Sequence, residues 1–189
     1  MAKVNSITLR AGMVVEFNNK IMIVLKHEIM QMQQRSGTIQ LDLRDIRTGN
    51  KDSIRFKTGE MVDRVRLDQN DATFLYEEGD NYVFMDSKTY EQTMISKEFL
   101  GEKGLYLQEN MEVQIESYEG EPLSVELPMS ITATITETEP VVKGQTAASS
   151  YKPAMLDNGV RVMVPPHIEA GTRIVVKTED GTYMERAKD

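Results

Sequence analysis

Apolar residues recur with period two through most of the chain, with polar or charged residues between them, which is the pattern of antiparallel strands buried on one face. Segments 13–17 (MVVEF) and 20–30 (KIMIVLKHEIM) read as strands joined at Asn18-Asn19, a two-residue hairpin turn whose asparagines tolerate positive φ. In 39–47 (IQLDLRDIR), Ile39, Leu41 and Leu43 alternate with Gln40, Asp42 and Arg44, and Thr48-Gly49-Asn50 turns the chain into 51–57 (KDSIRFK). Further strands are predicted at 61–67, 73–77, 81–86, 111–118, 121–127, 131–138, 159–164, 172–178 and 181–186, with turns at Glu78-Gly79-Asp80 and Glu119-Gly120. One helix is predicted over 96–107, with Ser96 as N-cap and Glu98 in its first turn. Many short strands separated by turn signals predict an all-β chain of small barrels.

Composition narrows the chemistry. The 189 residues contain no cysteine and two histidines, His27 and His167, so disulfides, thiol nucleophiles and histidine-rich metal sites are excluded. No run of eighteen apolar residues occurs and Met1–Arg10 lacks an apolar stretch, so a cytoplasmic protein with no membrane contact is expected. Phosphate-loop, HExxH and GxSxG motifs are missing, and Glu77-Glu78 beside Gly79 reads as an exposed turn rather than an acid–base pair. No catalytic residue, metal or cofactor is therefore assigned, and the chain is not expected to be an enzyme.

The net charge of −8 disfavours a uniformly basic nucleic-acid binder, but its distribution changes that conclusion. Residues 1–66 carry 12 Lys+Arg against 7 Asp+Glu, a net charge of +5; residues 67–130 carry 3 against 15, net −12; residues 131–189 carry 7 against 8, net −1. Boundaries near 66 and at Pro128 give expected domains of 1–66, 67–129 and 130–189. The first would face a polyanion that the second avoids, with Arg44, Arg47, Lys51, Arg55 and Lys57 supplying the positive field.

The most specific segment is 152–171, KPAMLDNGVRVMVPPHIEAG, in which Lys152, Ala154, Gly159, Val162, Val164, Pro165, Ile168 and Gly171 resemble the signature of the bacterial elongation factor P family. The resemblance extends to Thr58-Gly59-Glu60, FLYEEGDNYVFMD at 74–86, YEQ at 90–92, EPLSVELP at 121–128 and VVKGQTAASSYKPA at 141–154. It implies an SH3-like N-terminal barrel followed by two OB-fold barrels, in an L-shaped, tRNA-like arrangement. On the residues alone, Asp157-Asn158-Gly159 is a turn, Val160, Val162 and Val164 alternate into a core, and Pro165-Pro166 ends a strand.

The resemblance also implies a translation elongation factor. Such a factor binds the ribosome between the peptidyl and exit sites, against peptidyl-tRNA and ribosomal RNA, and stimulates peptide-bond formation at stalls such as consecutive prolines. A monomer is expected. The loop 31–38 (QMQQRSGT) follows a strand that can reach about 40 Å, and in the family it resembles the finger directed at the tRNA acceptor end. Its tip residues are Gln33, Gln34, Arg35, Ser36 and Gly37. The usual Pro-Gly-Lys-Gly tip is not present. An ungapped count puts Gln34 at the lysine position, whereas a one-residue shift puts Arg35 there, and Arg35 is then the residue open to modification. Glutamine offers neutral donors; arginine offers a charged planar fork.

Two further contacts follow from matching motifs. Lys143, Gly144, Gln145 and Thr146 resemble a loop near the exit-site codon, and Tyr183 and Arg186 match a Tyr-x-x-Arg pair that resembles a contact with the peptidyl-tRNA anticodon stem. Read without the family, these are a barrel turn and a strand-end pair. The alternatives are a diverged paralogue or loop variant with altered or lost rescue activity, and an acidic multi-barrel adaptor whose middle domain binds a basic protein.

Overall fold

A computed structural model describes residues 2–32, 35–142, 144 and 150–188, and of residues 31, 32, 35 and 36 the backbone only. The chain forms two compact units: Met1–Gln69 with Glu116–Ser124, and Asn70–Ile115 with Val125–Asp189.

In the first unit, strands β1 (Ala2–Asn5), β2 (Val14–Phe17), β3 (Lys20–Met32), β4 (Arg35–Asp45), β5 (Lys51–Lys57) and β6 (Met61–Arg64) form one curled sheet in the order β1-β6-β2-β3-β4-β5. Asn18 and Asn19 take φ of 52° and 58°, the left-handed pair that a tight hairpin needs. Leu9, Val15, Met22, Val24, Ile39, Leu41, Leu43, Phe56 and Val62 fill the barrel, with Phe17 edge-on to Phe56 at 5.3 Å. Val14, Ile21 and Ile23 point the other way and pack with Val65, Leu123 and Tyr118. The apolar run Ile21–Val24 is thus buried on both faces, which is why alternation weakens there.

A second sheet has the order β11-β10-β7-β8-β9, from β7 (Asp68–Glu78), β8 (Asn81–Asp86), β9 (Gln92–Ser96), β10 (Glu112–Tyr118) and β11 (Glu121–Glu126). Phe74, Tyr82, Phe84, Ile95, Leu100, Val113, Ile115 and Val125 form its core. The third, in the order β14-β13-β12-β15-β16, comprises β12 (Ser130–Thr138), β13 (Lys152–Leu156), β14 (Arg161–Val164), β15 (Arg173–Lys177) and β16 (Tyr183–Arg186). Its core includes Ile135, Leu156, Val162, Val164, Ile168, Ile174 and Val176, together with Tyr106 from the preceding barrel. Within the second unit Met111 and Leu127 pack against both cores, and Gln108 Nε2 donates to the Thr132 carbonyl at 2.7 Å.

Three sequence expectations are corrected. The helix over 96–107 is a four-residue α1 (Lys97–Leu100), capped as expected by Ser96 Oγ accepting from Phe99 N at 3.1 Å, followed by a 3-10 turn over Gly101–Tyr106. Gly101 at φ 58° breaks the α-helix, and a Cβ at Gly104 would overlap the Tyr82 phenol. Strands β1, β9 and β13 were not predicted. β13 was hidden by Pro153, whose missing N–H is tolerated because pairing with β12 begins only at Ala154. The loop 31–38 is largely strand: the β3–β4 ladder continues from Met30↔Thr38 to Met32↔Arg35, so Arg35, Ser36 and Gly37 belong to β4.

Candidate functional site

The long hairpin is a barrel hairpin with a short extension. β5 covers β4 as far as the Thr38↔Lys57 rung, and the Thr58 N–H and hydroxyl both donate to the Gly37 carbonyl. Beyond that rung only β3 and β4 continue, over three residues to Arg35, or about 10 Å. Gln33 and Gln34 lie outside the described residues, as do the side chains of Arg35 and Ser36.

Alternation along β4 and β5 determines where the cations go. Ile39, Leu41 and Leu43 point inward, so Thr38, Gln40, Asp42 and Arg44 point outward, each directly opposite Lys57, Arg55, Ser53 and Lys51 respectively. Arg55 Nη2 donates to Gln40 Oε1 at 3.1 Å, Gln40 Nε2 to Ser53 Oγ at 3.1 Å, and Ser53 Oγ to Asp42 Oδ1 at 2.8 Å. This chain of bonds holds the Arg55 guanidinium over the sheet. Four of the five cations expected to supply the positive field therefore share one outward face. Arg47 is the exception: it sits in the β4–β5 turn, 3.7 Å from Glu119 Oε2, in an exposed pair of little energetic weight.

The second set of residues lies in the last barrel. Gly144 has φ 97°, a conformation that disfavours any side chain there, although among the described residues nothing lies within 4 Å of where a Cβ would stand. Lys143, Gln145 and Thr146 lie outside the described residues. Lys152, the first residue of the family signature, is buried, 7% exposed, with Nζ donating to the Glu139 carbonyl at 2.6 Å. Thr138 Oγ1 donates to the Pro153 carbonyl at 3.0 Å. These two bonds close the base of the 140–151 connection. Lys152 heads a buried-outward alternation (Lys152, Ala154, Leu156), and that period was the available signal.

Tyr183 and Arg186 stand on β16 opposite Val176 and Ile174. The pair lies three positions apart on β16 but their partners lie only two apart, because the register shifts between Val175 and Val176. That bulge puts Tyr183 and Arg186 on the same side of the strand, which an unbroken strand would not do. Tyr183 is half-buried against the core and Arg186 is exposed. Burial raises the Tyr183 pKa first, the Tyr151 phenol and Glu185 raise it further, and the Arg186 guanidinium lowers it. The phenol stays neutral near pH 7, available for stacking.

Among the described residues no His/Asp/Glu cluster could hold a metal, and no helix is long and apolar enough to cross a membrane.

An SH3-like barrel followed by two OB-like barrels, with a cationic face on the first, defines a class of multi-barrel β proteins. Comparison with protein families identifies all three parts. Residues 5–62 match the elongation factor P KOW-like domain, residues 67–125 its OB domain, and residues 131–186 the elongation factor P C-terminal domain. The elongation factor P of Rhodospirillum centenum is 54% identical over 187 residues, covering 99% of this chain and 100% of that protein. That of Gluconobacter oxydans is 49% identical over 181 residues, covering 96% of each. A solved structure of eukaryotic translation initiation factor 5A from Methanococcus jannaschii aligns with a TM-score of 0.48 and 18% identity, covering 67% of this chain and 92% of that one. The chain belongs to the elongation factor P family and is a translation elongation factor.

Proposed function

We propose that this chain binds the ribosome beside peptidyl-tRNA, between the peptidyl and exit sites, and stimulates peptide-bond formation at stalls such as consecutive prolines. It does so as a cytoplasmic monomer and not as an enzyme, with modules at 1–66, 67–129 and 130–189. The observation that carries the reading is the shared outward face of Arg44, Lys51, Arg55 and Lys57, on the sheet whose hairpin leads to the tip. A cationic face of this kind attracts the RNA backbone without selecting sequence, leaving the tip to meet the acceptor end. Tyr183, Arg186 and the loop Lys143–Thr146 add contacts to RNA from the last barrel. The mechanism is positioning: holding the acceptor end in a productive geometry lowers the entropic part of a barrier that the ribosome's own centre crosses.

One sequence feature favours a second reading, a loop variant with altered activity. No lysine lies between Lys26 and Lys51, so modification of a tip lysine is impossible and the cation nearest the tip is Arg35. Ribosome profiling of a strain lacking its own factor tests the first reading. Pauses at proline runs should disappear when this chain is expressed; persistence of every pause, with the protein folded, overturns it. Replacing Gln31–Thr38 by a Pro-Gly-Lys-Gly loop separates the two readings, since gain of rescue only with the replacement assigns the defect to the tip. The intact mass of the native protein reports any group added to Arg35.

A further inference from the structure

We infer that Asp42, a carboxylate in the middle of the cationic face, is a positioning residue for Arg55, so that its presence strengthens the contact with RNA. The inference rests on the reading of that face as an RNA contact. Counting charge alone gives the opposite expectation. Asp42 stands on the outward side of β4 between Gln40 and Arg44, with Lys26 opposite it on β3 and Ser53 opposite it on β5. A carboxylate there lowers the local positive potential, and by that argument deleting it should tighten binding to a polyanion.

The hydrogen bonds that start at Asp42 reverse that expectation. A carboxylate only accepts, a hydroxyl has one hydrogen to donate, and a glutamine amide turns either its oxygen or its nitrogen towards a given neighbour. Ser53 Oγ directs its hydrogen to Asp42 Oδ1 at 2.8 Å, so towards Gln40 it can only accept. Gln40 therefore turns Nε2 to Ser53 Oγ at 3.1 Å, which leaves Oε1 for Arg55 Nη2, also at 3.1 Å. The end with no hydrogen to give fixes the direction of every bond. Without the carboxylate the Ser53 hydroxyl is free to donate to Gln40 and the amide to reverse, and Nε2 then meets a guanidinium that also only donates.

The placement of Arg55 depends on this direction. Arg55 is exposed, and a free arginine samples many rotamers whose loss opposes binding. Its bond to Gln40 holds the planar fork over the β4–β5 face in advance and leaves the remaining donors of the fork for a phosphate. Strand alternation supplies the frame: Gln40↔Arg55 and Asp42↔Ser53 are successive outward rungs, because Leu41↔Ile54 between them faces the barrel core.

The test is the affinity of the full chain for ribosomes carrying peptidyl-tRNA in the peptidyl site, measured in two backgrounds. In the otherwise unaltered chain Asp42→Asn, which keeps the shape but lets the bonds run either way, should weaken binding about 2- to 10-fold, and Ser53→Ala, which changes no charge, should weaken it by a similar factor. In an Arg55→Ala chain, itself a weaker binder, Asp42→Asn should cause no further loss, because the group it positions is gone. A carboxylate that only stabilised the barrel would cost the same in both backgrounds. Thermal midpoints identify any variant that fails to fold, in which case Ser53→Ala decides. Tighter or unchanged binding by Asp42→Asn, normal binding by Ser53→Ala, or equal losses in the two backgrounds overturns the inference and leaves the face as an RNA contact. Normal binding by Arg55→Ala also overturns it, and if the chain with Arg55→Glu and Lys57→Glu binds normally as well, the reading of the face falls with it.

Discussion

The β4–β5 hairpin of the basic barrel and the β8–β9 hairpin of the acidic one close with the same turn but present opposite outer faces. Asp45-Ile46-Arg47-Thr48-Gly49-Asn50 and Asp86-Ser87-Lys88-Thr89-Tyr90-Glu91 superimpose bond for bond in chemistry. In the first, Asp45 Oδ1 accepts from Arg47 N at 2.8 Å and Thr48 N at 3.2 Å; in the second, Asp86 Oδ1 accepts from Lys88 N and Thr89 N, both at 2.8 Å. Gly49 N donates to the Asp45 carbonyl and Tyr90 N to the Asp86 carbonyl, each at 2.9 Å. The fifth position is left-handed in both, Gly49 at φ 74° and Tyr90 at φ 61°. A shared turn sets a shared register, yet the outer face of one hairpin carries Arg44, Lys51, Arg55 and Lys57 while the other sheet exposes Tyr76 and Met94 on either side of the fully buried Val83. Local turn chemistry builds the frame; the outward alternate positions are left free to carry function.

The largest expected effect separates the two faces. Reversing charge with Arg55→Glu and Lys57→Glu together should weaken binding to ribosomes carrying peptidyl-tRNA at least about tenfold at low salt and flatten its salt dependence, while Met94→Glu should leave both unchanged. Equal effects from the two hairpins would abolish the functional distinction drawn between them.

Next come the turn carboxylates. Asp45→Ala should lower the thermal midpoint more than Asp86→Ala, because the Asp45 side chain is buried, 5% exposed, and leaves its backbone donors without water to replace it. Both carboxyls are held below the ordinary value of 3.8, Asp45 chiefly by the Arg47 N–H and Asp86 chiefly by the Thr89 N–H. A folded-state pKa below the unfolded one gives stability that is complete above the unfolded value and lost as pH falls through the folded one. Acid titration of the midpoint should therefore show a loss below about pH 4 that is smaller in the double Ala variant. Removing both carboxylates without changing the acid limb would show that these turns are held by something else.

The smallest effects test the fifth position. Gly49→Ala should cost about 1 kcal/mol, since alanine pays for a left-handed φ that glycine adopts freely. Tyr90→Gly should stabilise by about 0.5 kcal/mol for the same reason with opposite sign, because Tyr90 is 71% exposed and loses little packing. Denaturant unfolding measures both, and a destabilised Tyr90→Gly variant would mean that the ring packs in a way its exposure does not suggest.

Much of this was legible along the chain. Asn18-Asn19, Gly79, Gly120 and Gly159 take the positive φ that their residue types favour at turns, and the inward sets Ile39-Leu41-Leu43 and Val162-Val164 follow directly from alternation. Family membership was carried by the Lys152–Gly171 segment and its companions, and the charge partition pointed to the first barrel before any fold was known. The expected helix failed where local propensity met tertiary demand: Gly104 serves the approach of Tyr82, and nothing local to 96–107 announces that ring.

By itself the sequence determined the strand period, the turns, the three-barrel class and which third of the chain is cationic, because each depends on residues within a few positions of one another. Tertiary structure alone decided that Arg44, Lys51, Arg55 and Lys57 share one face, that a bulge against Val175-Val176 puts Tyr183 and Arg186 on one side, and that the β3–β4 ladder continues to Met32 and Arg35. It also decided that Leu123 and Tyr118 join Val14 and Ile23 in one core. These depend on register and barrel closure between strands distant in the chain, and no local pattern encodes the stagger that closure selects.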